Sequence, residues 1–410
     1  MKKVSIFIIA LLLTRVLPAQ VKTGVEALRD ANFKPLAGKR AGLLTNPTGV
    51  DSRLKSTIDI LFEAPNVNLV ALYSPEHGIR GDVTAGAVVA NTKDERTGLP
   101  VFSLYGATKK PTPEMLKGID VLVYDMQDIG CRSYTFISTM GLAMEAAAEN
   151  NIEFVVLDRP NPLGGLKFEG QPNVAPELVS LVSQFPITYV HGFTVGELAT
   201  FLNEEGLLKN RMKCKLTVVK MKGWKREMNF EATGLPWVIT SPHVPHPKTA
   251  YYYAMSGILG ELYTINIGVG YTLPFELFGA EWIDAEKLSK NLNALNIPGA
   301  MFRPIHFRPY YGAQKDIYLH GVQTYITDFN KIPLTMIQFY VLQECYQLHP
   351  GKNVFELCTP ERLNMFDKVC GTSRVREIFS KTFTVASIQE IWNRDVEHFR
   401  KKAKQYFLYK

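Results

Sequence analysis

The 410-residue sequence lacks the short motifs by which several large enzyme classes are recognised. The loop after its first predicted strand reads Thr45-Asn46-Pro47-Thr48-Gly49, without the Gly-x-Gly-x-x-Gly pattern of dinucleotide-binding sheets. A P-loop, a His-Glu-x-x-His helix and a Gly-x-Ser-x-Gly turn are also missing. These absences argue against nucleotide-binding, zinc-protease and serine-hydrolase chemistry.

Cysteine is scarce and irregularly spaced. The five cysteines are Cys131, Cys214, Cys345, Cys358 and Cys370, an odd number that predicts no disulfide framework. We interpret most of them as small core residues, and one pair among the last three stays open in an oxidising compartment. His243 and His246 come nearest to metal-ligand spacing, but their Pro-rich loop has no nearby third ligand. We therefore predict neither a metal nor a cofactor.

No apolar run is long enough to span a membrane as a helix. The run at 4–13 follows Lys2 and Lys3 and precedes Pro18-Ala19-Gln20, which is the pattern of a cleaved secretory signal. We predict a signal peptide over residues 1–19 and a secreted, periplasmic protein. An uncleaved anchor or a buried N-terminal strand is the alternative.

The excess of positive charge is small. The formal net charge is +7, and Lys2, Lys3 and Arg15 of the predicted signal peptide account for three of these charges. The remaining lysines and arginines are scattered rather than clustered, which argues against a nucleic-acid partner. The sequence does not indicate an oligomeric state.

Five apolar runs alternate with helical patterns in the first half of the chain, at 40–44, 67–73, 101–105, 121–124 and 154–157. Each run is continuously apolar, as strands buried on both faces are. Alternation with helices predicts a parallel sheet covered on both sides. We predict an α/β protein, with a Rossmann-like domain over residues 20–211. A smaller α+β domain follows over residues 212–410, where the regular alternation ends.

Polar residues follow the carboxyl ends of these runs. They are Asn46, Glu76, Asp125, Gln127, Asp128, Asp158, Arg159 and Asn161. Ligands of open α/β sheets bind at this edge, and a cleft between two domains is the default binding site. Singly, several of these residues suit turns or caps, as Asn46-Pro47 does. Glu197 likewise suits a capping box with Thr194.

Glu76 is the first candidate for acid chemistry. It stands between Pro75 and His77-Gly78, where a strand end meets a tight turn, so its side chain has little freedom. A glycosidase needs a carboxylic acid to protonate the leaving oxygen, and usually a second group near the oxocarbenium centre. The alternative is a solvated loop glutamate.

Five motifs, in order, resemble those of a known family. They lie at 43–51, 73–81, 120–135, 157–165 and 191–198. On these segments the chain is similar to the exo-β-N-acetylmuramidases of peptidoglycan recycling, over essentially the whole mature chain. The resemblance implies a Rossmann-like domain and a smaller C-terminal domain with the active site between them. It also implies release of N-acetylmuramic acid from the non-reducing ends of peptidoglycan glycans.

The resemblance further implies roles for single residues. Glu76 falls on the catalytic glutamate of the family. Substrate-binding roles are implied for Asn46, His77, Arg80, Gln127, Asp128, Arg132, Tyr134, Asp158, Arg159 and Glu261. The second catalytic group stays open among Asp128, Asp158, Glu261 and the N-acetyl group of the substrate itself.

The implied substrate carries a lactyl carboxylate, which arginine can bind through two parallel hydrogen bonds. Arg80, Arg132 and Arg159 are the candidates for this contact. Their alternative is a structural ion pair with Asp82, Asp125 or Asp158.

The second half departs from the family pattern. Val269 stands where we expect arginine and Thr264 where we expect asparagine, while Tyr263 and Tyr271 add bulk. The loss of a cation bears on substrate recognition, so two other hypotheses stay open. One is a glycan-binding paralogue with little activity, against which intact Glu76 argues. The other is an esterase or amidase acting on peptidoglycan, against which the missing nucleophile motif argues.

Overall fold

The computed structural model describes residues 20–76, 78–79, 92–312 and 314–410. The predicted signal peptide, His77 and Arg80 therefore lie outside the described residues, as does Asp82. Within the described ranges, no helix combines the length and the apolar character that crossing a membrane requires.

Seven strands form the first sheet. They are β1 (Arg40–Thr45), β2 (Asn68–Ser74), β3 (Thr92–Lys93), β4 (Pro100–Ser103), β5 (Val121–Asp125), β6 (Glu153–Leu157) and β7 (Lys215–Val219). Their order is β3-β4-β2-β1-β5-β6-β7, and β3 is antiparallel to β4 while the other neighbours are parallel. Without β3, the parallel strands follow the 3-2-1-4-5-6 order of a doubly wound sheet. The predicted Rossmann-like α/β fold is confirmed.

Helices cover both faces of this sheet. They are α1 (Gly24–Asp30), α2 (Thr57–Phe62), α3 (Thr135–Glu149) and α4 (Val195–Glu204). Successive side chains of a strand point to opposite faces. Leu43 of β1 accordingly packs in the core with α1 and α2, and Leu44 packs in the core with α3 and α4. This two-sided burial explains why the central strands are continuously apolar.

Strand β7 corrects the predicted domain boundary. It pairs in parallel with β6 and is therefore part of the first sheet, so a boundary at residue 212 is too early. An edge strand is only partly buried, and β7 has exposed Lys215 and Thr217 between half-buried neighbours. Its sequence consequently lacks the continuous apolar run that identified the central strands.

The second domain begins after β7 and mixes a small antiparallel sheet with helices. The sheet has the order β8 (Leu277–Ala280), β10 (Leu319–Ile326) and β9 (Ala300–Phe307). The helices are α5 (Thr249–Gly260), α6 (Ala285–Ala294), α7 (Ile337–Leu348), α8 (Pro360–Cys370), α9 (Arg374–Thr382), α10 (Val385–Asn393) and α11 (Val396–Ala403). The core around α3 and α4 continues into this domain, so the two domains share one apolar interior.

The cysteines serve as core residues in both domains. All five are free thiols, and all except Cys358 are buried. The pair left open among Cys345, Cys358 and Cys370 does not form.

The C-terminal segment returns from the second domain to the first. The Tyr409 hydroxyl donates a hydrogen bond of 2.5 Å to Asp158 Oδ2 and accepts one of 2.8 Å from the Met221 amide. The Leu408 amide donates to Glu197 Oε1 at 2.8 Å. The end of the chain is thus bonded to residues at the carboxyl edge of the first sheet.

Candidate active site

Glu76 lies just past the carboxyl end of β2 and is partly exposed. Thr135 Oγ1, at the start of α3, donates a hydrogen bond of 2.8 Å to Glu76 Oε2. The Tyr105 phenol, which follows the neighbouring strand β4, is also hydrogen-bonded to this carboxyl group. Burial, and then the Glu76 charge, hold the pKa of Tyr105 above its usual value. Two neighbouring strands and a helix therefore orient the Glu76 side chain.

Tyr134 interacts electrostatically with Glu76 and with a second carboxylate. Its phenol is buried beside the hydroxyls of Thr240 and Ser241, which belong to the Pro-rich loop. Burial raises the pKa of Tyr134, and the negative charges of Asp128 and Glu76 raise it further. The phenol is thus within electrostatic reach of both carboxylates.

Asp128, past the end of β5, is that second carboxylate. Its Oδ2 accepts a hydrogen bond of 2.6 Å from the Gly130 amide and lies 3.1 Å from His191 Nε2. Its Oδ1 is buried and accepts no hydrogen bond from any described residue. Leaving a buried acceptor unpaired costs about 1–3 kcal/mol. The oxygen is therefore suited to accept a hydrogen bond from a bound molecule.

A cleft of about 310 Å³ opens in the second domain, and all its lining residues follow β7 in the chain. Its lining includes His243, Tyr253, Glu261, Asn266, Val269 and Phe275. Tyr253, on α5, connects the cleft to the first domain, because its hydroxyl lies 3.1 Å from Ser133 Oγ. Its ring also meets that of Tyr134 edge-on, with 5.9 Å between centroids. Tyr134 and the predicted Glu261 are thus parts of one region.

Glu261 brings a carboxyl group into the cleft from the end of α5. Burial raises its pKa to about 7, and the nearby Arg362 opposes that rise. Arg362 Nη1 lies 3.8 Å from Glu261 Oε2, and its guanidinium stacks on the Tyr263 ring at 3.6 Å. Near neutral pH a large fraction of Glu261 is therefore protonated and able to donate a hydrogen bond.

The predicted residues at the crevice between β1 and β5 are bonded to the protein itself. Asn46 Oδ1 accepts from the Thr48 amide at 3.0 Å, which makes it a turn former. Gln127 Nε2 donates to two backbone carbonyls at 2.7 Å each. Arg159 Nε donates to Asp125 Oδ1 at 2.5 Å, the structural ion pair that the sequence left open. These hydrogen bonds give the three residues structural roles, and a cavity of about 20 Å³ is left there, while their substrate-binding roles stay predictions.

Asp158 is likewise enclosed by the protein. It is fully buried and accepts hydrogen bonds from Tyr409, from the Thr194 hydroxyl and from the amides of Arg159 and Gly196. Thr194 and Glu197 form the predicted capping box of α4. Asp158 therefore has no oxygen to offer a substrate, which corrects its predicted role.

Arg132 connects the two domains instead of facing the cleft. Its side chain is 1% exposed. Nη1 donates to the carbonyls of Gln171 and Ile187 at 2.9 and 2.8 Å. Nη2 donates to the carbonyls of Val369 and Cys370, in α8, at 3.1 and 2.8 Å. The prediction that Arg132 binds a substrate carboxylate is therefore corrected, and of the three candidate arginines Arg80 stays a prediction.

The sequence did not predict three residues of this region, namely Tyr105 and Thr135, which contact Glu76, and Tyr253, which contacts Tyr134. Tyr105 follows the carboxyl end of a parallel strand, so the rule that identified Glu76 could have found it. Thr135 belongs to the motif at 120–135, but a threonine at the first position of a helix is common and does not by itself indicate a site. Tyr253 comes from the second domain, and no feature of the sequence connects it with this edge of the sheet.

Metal ligands are not grouped in the described part of the chain. Across residues 20–76, 78–79, 92–312 and 314–410, no three residues among His, Cys, Asp and Glu are arranged to hold a metal ion. His243 instead stacks against Tyr311, with 5.8 Å between ring centroids.

Carboxyl groups near a cleft with aromatic walls form the arrangement that glycosidases use. Two family models match the chain and together cover most of it. They are described as exo-β-N-acetylmuramidase NamZ, N-terminal, at residues 41–248, and exo-β-N-acetylmuramidase NamZ, C-terminal, at residues 251–409. The chain therefore belongs to the exo-β-N-acetylmuramidase family, a family of glycosidases, and the resemblance seen in the sequence is confirmed.

Individual relatives agree with this membership. Peptidoglycan β-N-acetylmuramidase NamZ of Bacillus subtilis (strain 168) is 44% identical over 390 residues, which are 95% of this chain and 92% of the relative. A solved DUF1343 family protein from Bacteroides fragilis is 58% identical, with a TM-score of 0.92 over 95% of this chain and 99% of that one. A second one from the same organism is 30% identical, with a TM-score of 0.75 over 96% and 99%.

The position of Arg132 predicts a loss of stability on substitution. Arg132→Lys is expected to lower the free energy of unfolding by about 3 kcal/mol, because an ammonium group cannot reach four carbonyls and leaves buried acceptors unpaired. Urea unfolding measures this change, with Arg53→Lys on an exposed side chain as the matched control. Unchanged stability together with a raised KM would instead return Arg132 to the substrate site.

Proposed function

We propose that this protein is a secreted, exo-acting glycosidase that releases N-acetylmuramic acid from the non-reducing ends of peptidoglycan fragments. The observation that carries the proposal is the Glu76 carboxyl group, held by Thr135 and Tyr105 at the carboxyl edge of the first sheet. The 44% identity with a peptidoglycan β-N-acetylmuramidase supports the choice of substrate.

Glu76 acts as the general acid in this proposal. It donates a proton to the glycosidic oxygen while the bond between that oxygen and C1 breaks, so the remaining glycan leaves as an alcohol. Positive charge develops at C1, and a water molecule finally supplies the new hydroxyl group and returns a proton to the carboxylate. The hydrogen bond from Thr135 keeps the carboxyl group in one orientation through these steps.

Asp128 is the second carboxylate that we assign to the site. Asp158 is unsuitable because all its acceptor positions face protein donors, whereas Asp128 Oδ1 is buried without a partner among the described residues. The acetamido N–H of the sugar can donate a hydrogen bond to this oxygen. Such a contact would turn the acetamido carbonyl towards C1, where it can stabilise the developing charge.

Replacing Glu76 tests the general acid. Glu76→Gln is expected to lower kcat on a muramic-acid-ended disaccharide by about 100-fold or more, because the leaving sugar needs a proton. The loss on 4-nitrophenyl N-acetylmuramide should be smaller, because nitrophenolate leaves without protonation. Release of sugar and of nitrophenol measures both rates.

The assays of sugar and nitrophenol release also provide the controls for this test. The wild-type protein should hydrolyse the muramide and not the matching N-acetylglucosaminide, and Asp128→Asn should lower kcat on both muramic substrates alike. Equal losses on the two substrates in Glu76→Gln would contradict a general-acid role. No hydrolysis by the wild type, with binding of the disaccharide retained, would favour the glycan-binding paralogue.

The raised pKa of Glu261 predicts that substrate binding depends on pH. Its pKa is raised from 4.5 to about 7, so the side chain is neutral at pH 6 and becomes anionic as the pH rises through 7. The N-acetylmuramide is itself an anion, and like charges in a small cleft repel. KM for the muramide should therefore rise between pH 6 and pH 8.

Glu261→Gln should remove this rise in KM, because the amide does not ionise. KM measured across this pH range provides the test, and Glu286→Gln on the surface helix α6 is the matched control. A rise of the same size in Glu261→Gln would assign the effect to another group.

The proposed location is the periplasm, reached by the signal peptide at residues 1–19. The basic start, the short apolar run and Pro18-Ala19 support this proposal. N-terminal sequencing of the exported protein should begin at Gln20. A chain that retains Met1 in the exported fraction would contradict cleavage.

A further inference from the structure

Three tyrosines form an aromatic surface on the second domain, here named the tyrosine surface and consisting of Tyr271, Tyr310 and Tyr311. Tyr310 and Tyr311 are 64% and 49% exposed. The rings of Tyr271 and Tyr310 are stacked, with 5.7 Å between centroids and 19° between planes. Large apolar rings held in order at the surface, rather than buried, are typical of a binding site.

The tyrosine surface continues into the cleft of the second domain. Tyr311 stacks on His243, which lines the cleft, at an angle of 16°. Gly312 and Gln314, which follow in the chain, line the cleft as well. The Tyr310 amide donates a hydrogen bond of 2.7 Å to the Gly270 carbonyl, next to the cleft residue Val269. A molecule that extends out of the cleft on this side therefore meets the tyrosines.

The chemistry of the rings suits a chain of sugars. The face of a tyrosine ring carries partial negative charge, which attracts C–H groups, and the phenol adds a hydrogen-bonding group at the ring edge. The axial C–H groups of β-1,4-linked pyranoses form just such faces. Arg308, two positions before Tyr310, lies over Tyr318, with its Nε donating to the Asp316 carbonyl at 2.9 Å.

We infer that the tyrosine surface binds the sugar units on the reducing-end side of the scissile bond. This inference rests on the proposed function, because an exo-acting enzyme holds the terminal sugar in the cleft and the rest of the glycan must leave it. The first sugar would pass His243 and Tyr311, and the next sugars would lie on Tyr310. The surface thereby favours long glycans over short ones.

The decisive quantity is the ratio of two kcat/KM values, one for a muramic-acid-ended tetrasaccharide and one for 4-nitrophenyl N-acetylmuramide. The nitrophenyl substrate has no sugar beyond the scissile bond. Tyr310→Ala is expected to lower this ratio about fivefold to tenfold, the effect of one lost stacking contact. Tyr310→Phe keeps the ring and should keep the ratio.

Tyr325→Ala is the positional control, because Tyr325 is also exposed and lies on β10 with its hydroxyl 3.1 Å from Gln323 Oε1. This variant should retain the wild-type ratio. An unchanged ratio in Tyr310→Ala would overturn the inference. If Tyr310→Phe also lowered the ratio, the hydroxyl group rather than the ring face would make the contact, and stacking of sugars on the ring would be contradicted.

A separate measurement distinguishes failure of the inference from failure of the proposed function. Chitotetraose offers the same pyranose faces without a terminal muramic acid, so its binding can be measured by calorimetry whether or not the protein is active. Weaker binding in Tyr310→Ala would support the tyrosine surface even for an inactive protein. Unchanged binding, together with a change of sedimentation on Tyr310→Ala, would assign the surface to contact between two copies of the chain.

Discussion

The arrangement of the site depends on the pairing of charges that are buried at the carboxyl edge of the first sheet. Arg159 with Asp125 and Arg226 with Glu197 are separated by 2.5 and 2.7 Å, and all four side chains are 5% exposed or less. Removing one partner of a buried pair costs about 3–5 kcal/mol. These pairs therefore form together with the strands and helices that carry them. The first of these pairs, Arg159 with Asp125, also occupies the crevice between β1 and β5, where a doubly wound sheet commonly binds its ligand.

With that crevice occupied, Glu76 and Tyr105 lie further along the same edge, past β2 and β4, whereas Asp128 follows β5. The groups of the first domain can act together with the cleft of the second only if the two domains keep a fixed distance. Arg132 bonds the first domain to α8, and Tyr409 bonds the C-terminus to Asp158, so the two domains are joined at more than one place.

The sequence predicts the central strands and Glu76 but not the roles of the residues around them. A central strand such as β5 is buried on both faces, and its unbroken apolar run is readable without any partner. The role of Arg132 depends instead on Val369 and Cys370, more than 200 positions away. A polar residue after a strand can form a turn, pair with an opposite charge or bind a ligand, and only contacts with distant parts of the chain distinguish these roles. Arg159, for example, forms an ion pair with Asp125, 34 positions earlier.

The cleft explains two of the positions at which the second half of the chain differs from the family pattern that we expected. Val269 lines it together with Phe275 and Tyr253, so this wall is apolar where we expected a cation. A guanidinium nevertheless reaches the cleft edge from α8, where Arg362 lies over Tyr263 and near Glu261. Tyr263, one of the residues that adds bulk, is the ring that holds this cation. Positive charge is therefore available at the cleft from another element. Valine at position 269 is for this reason compatible with an anionic substrate.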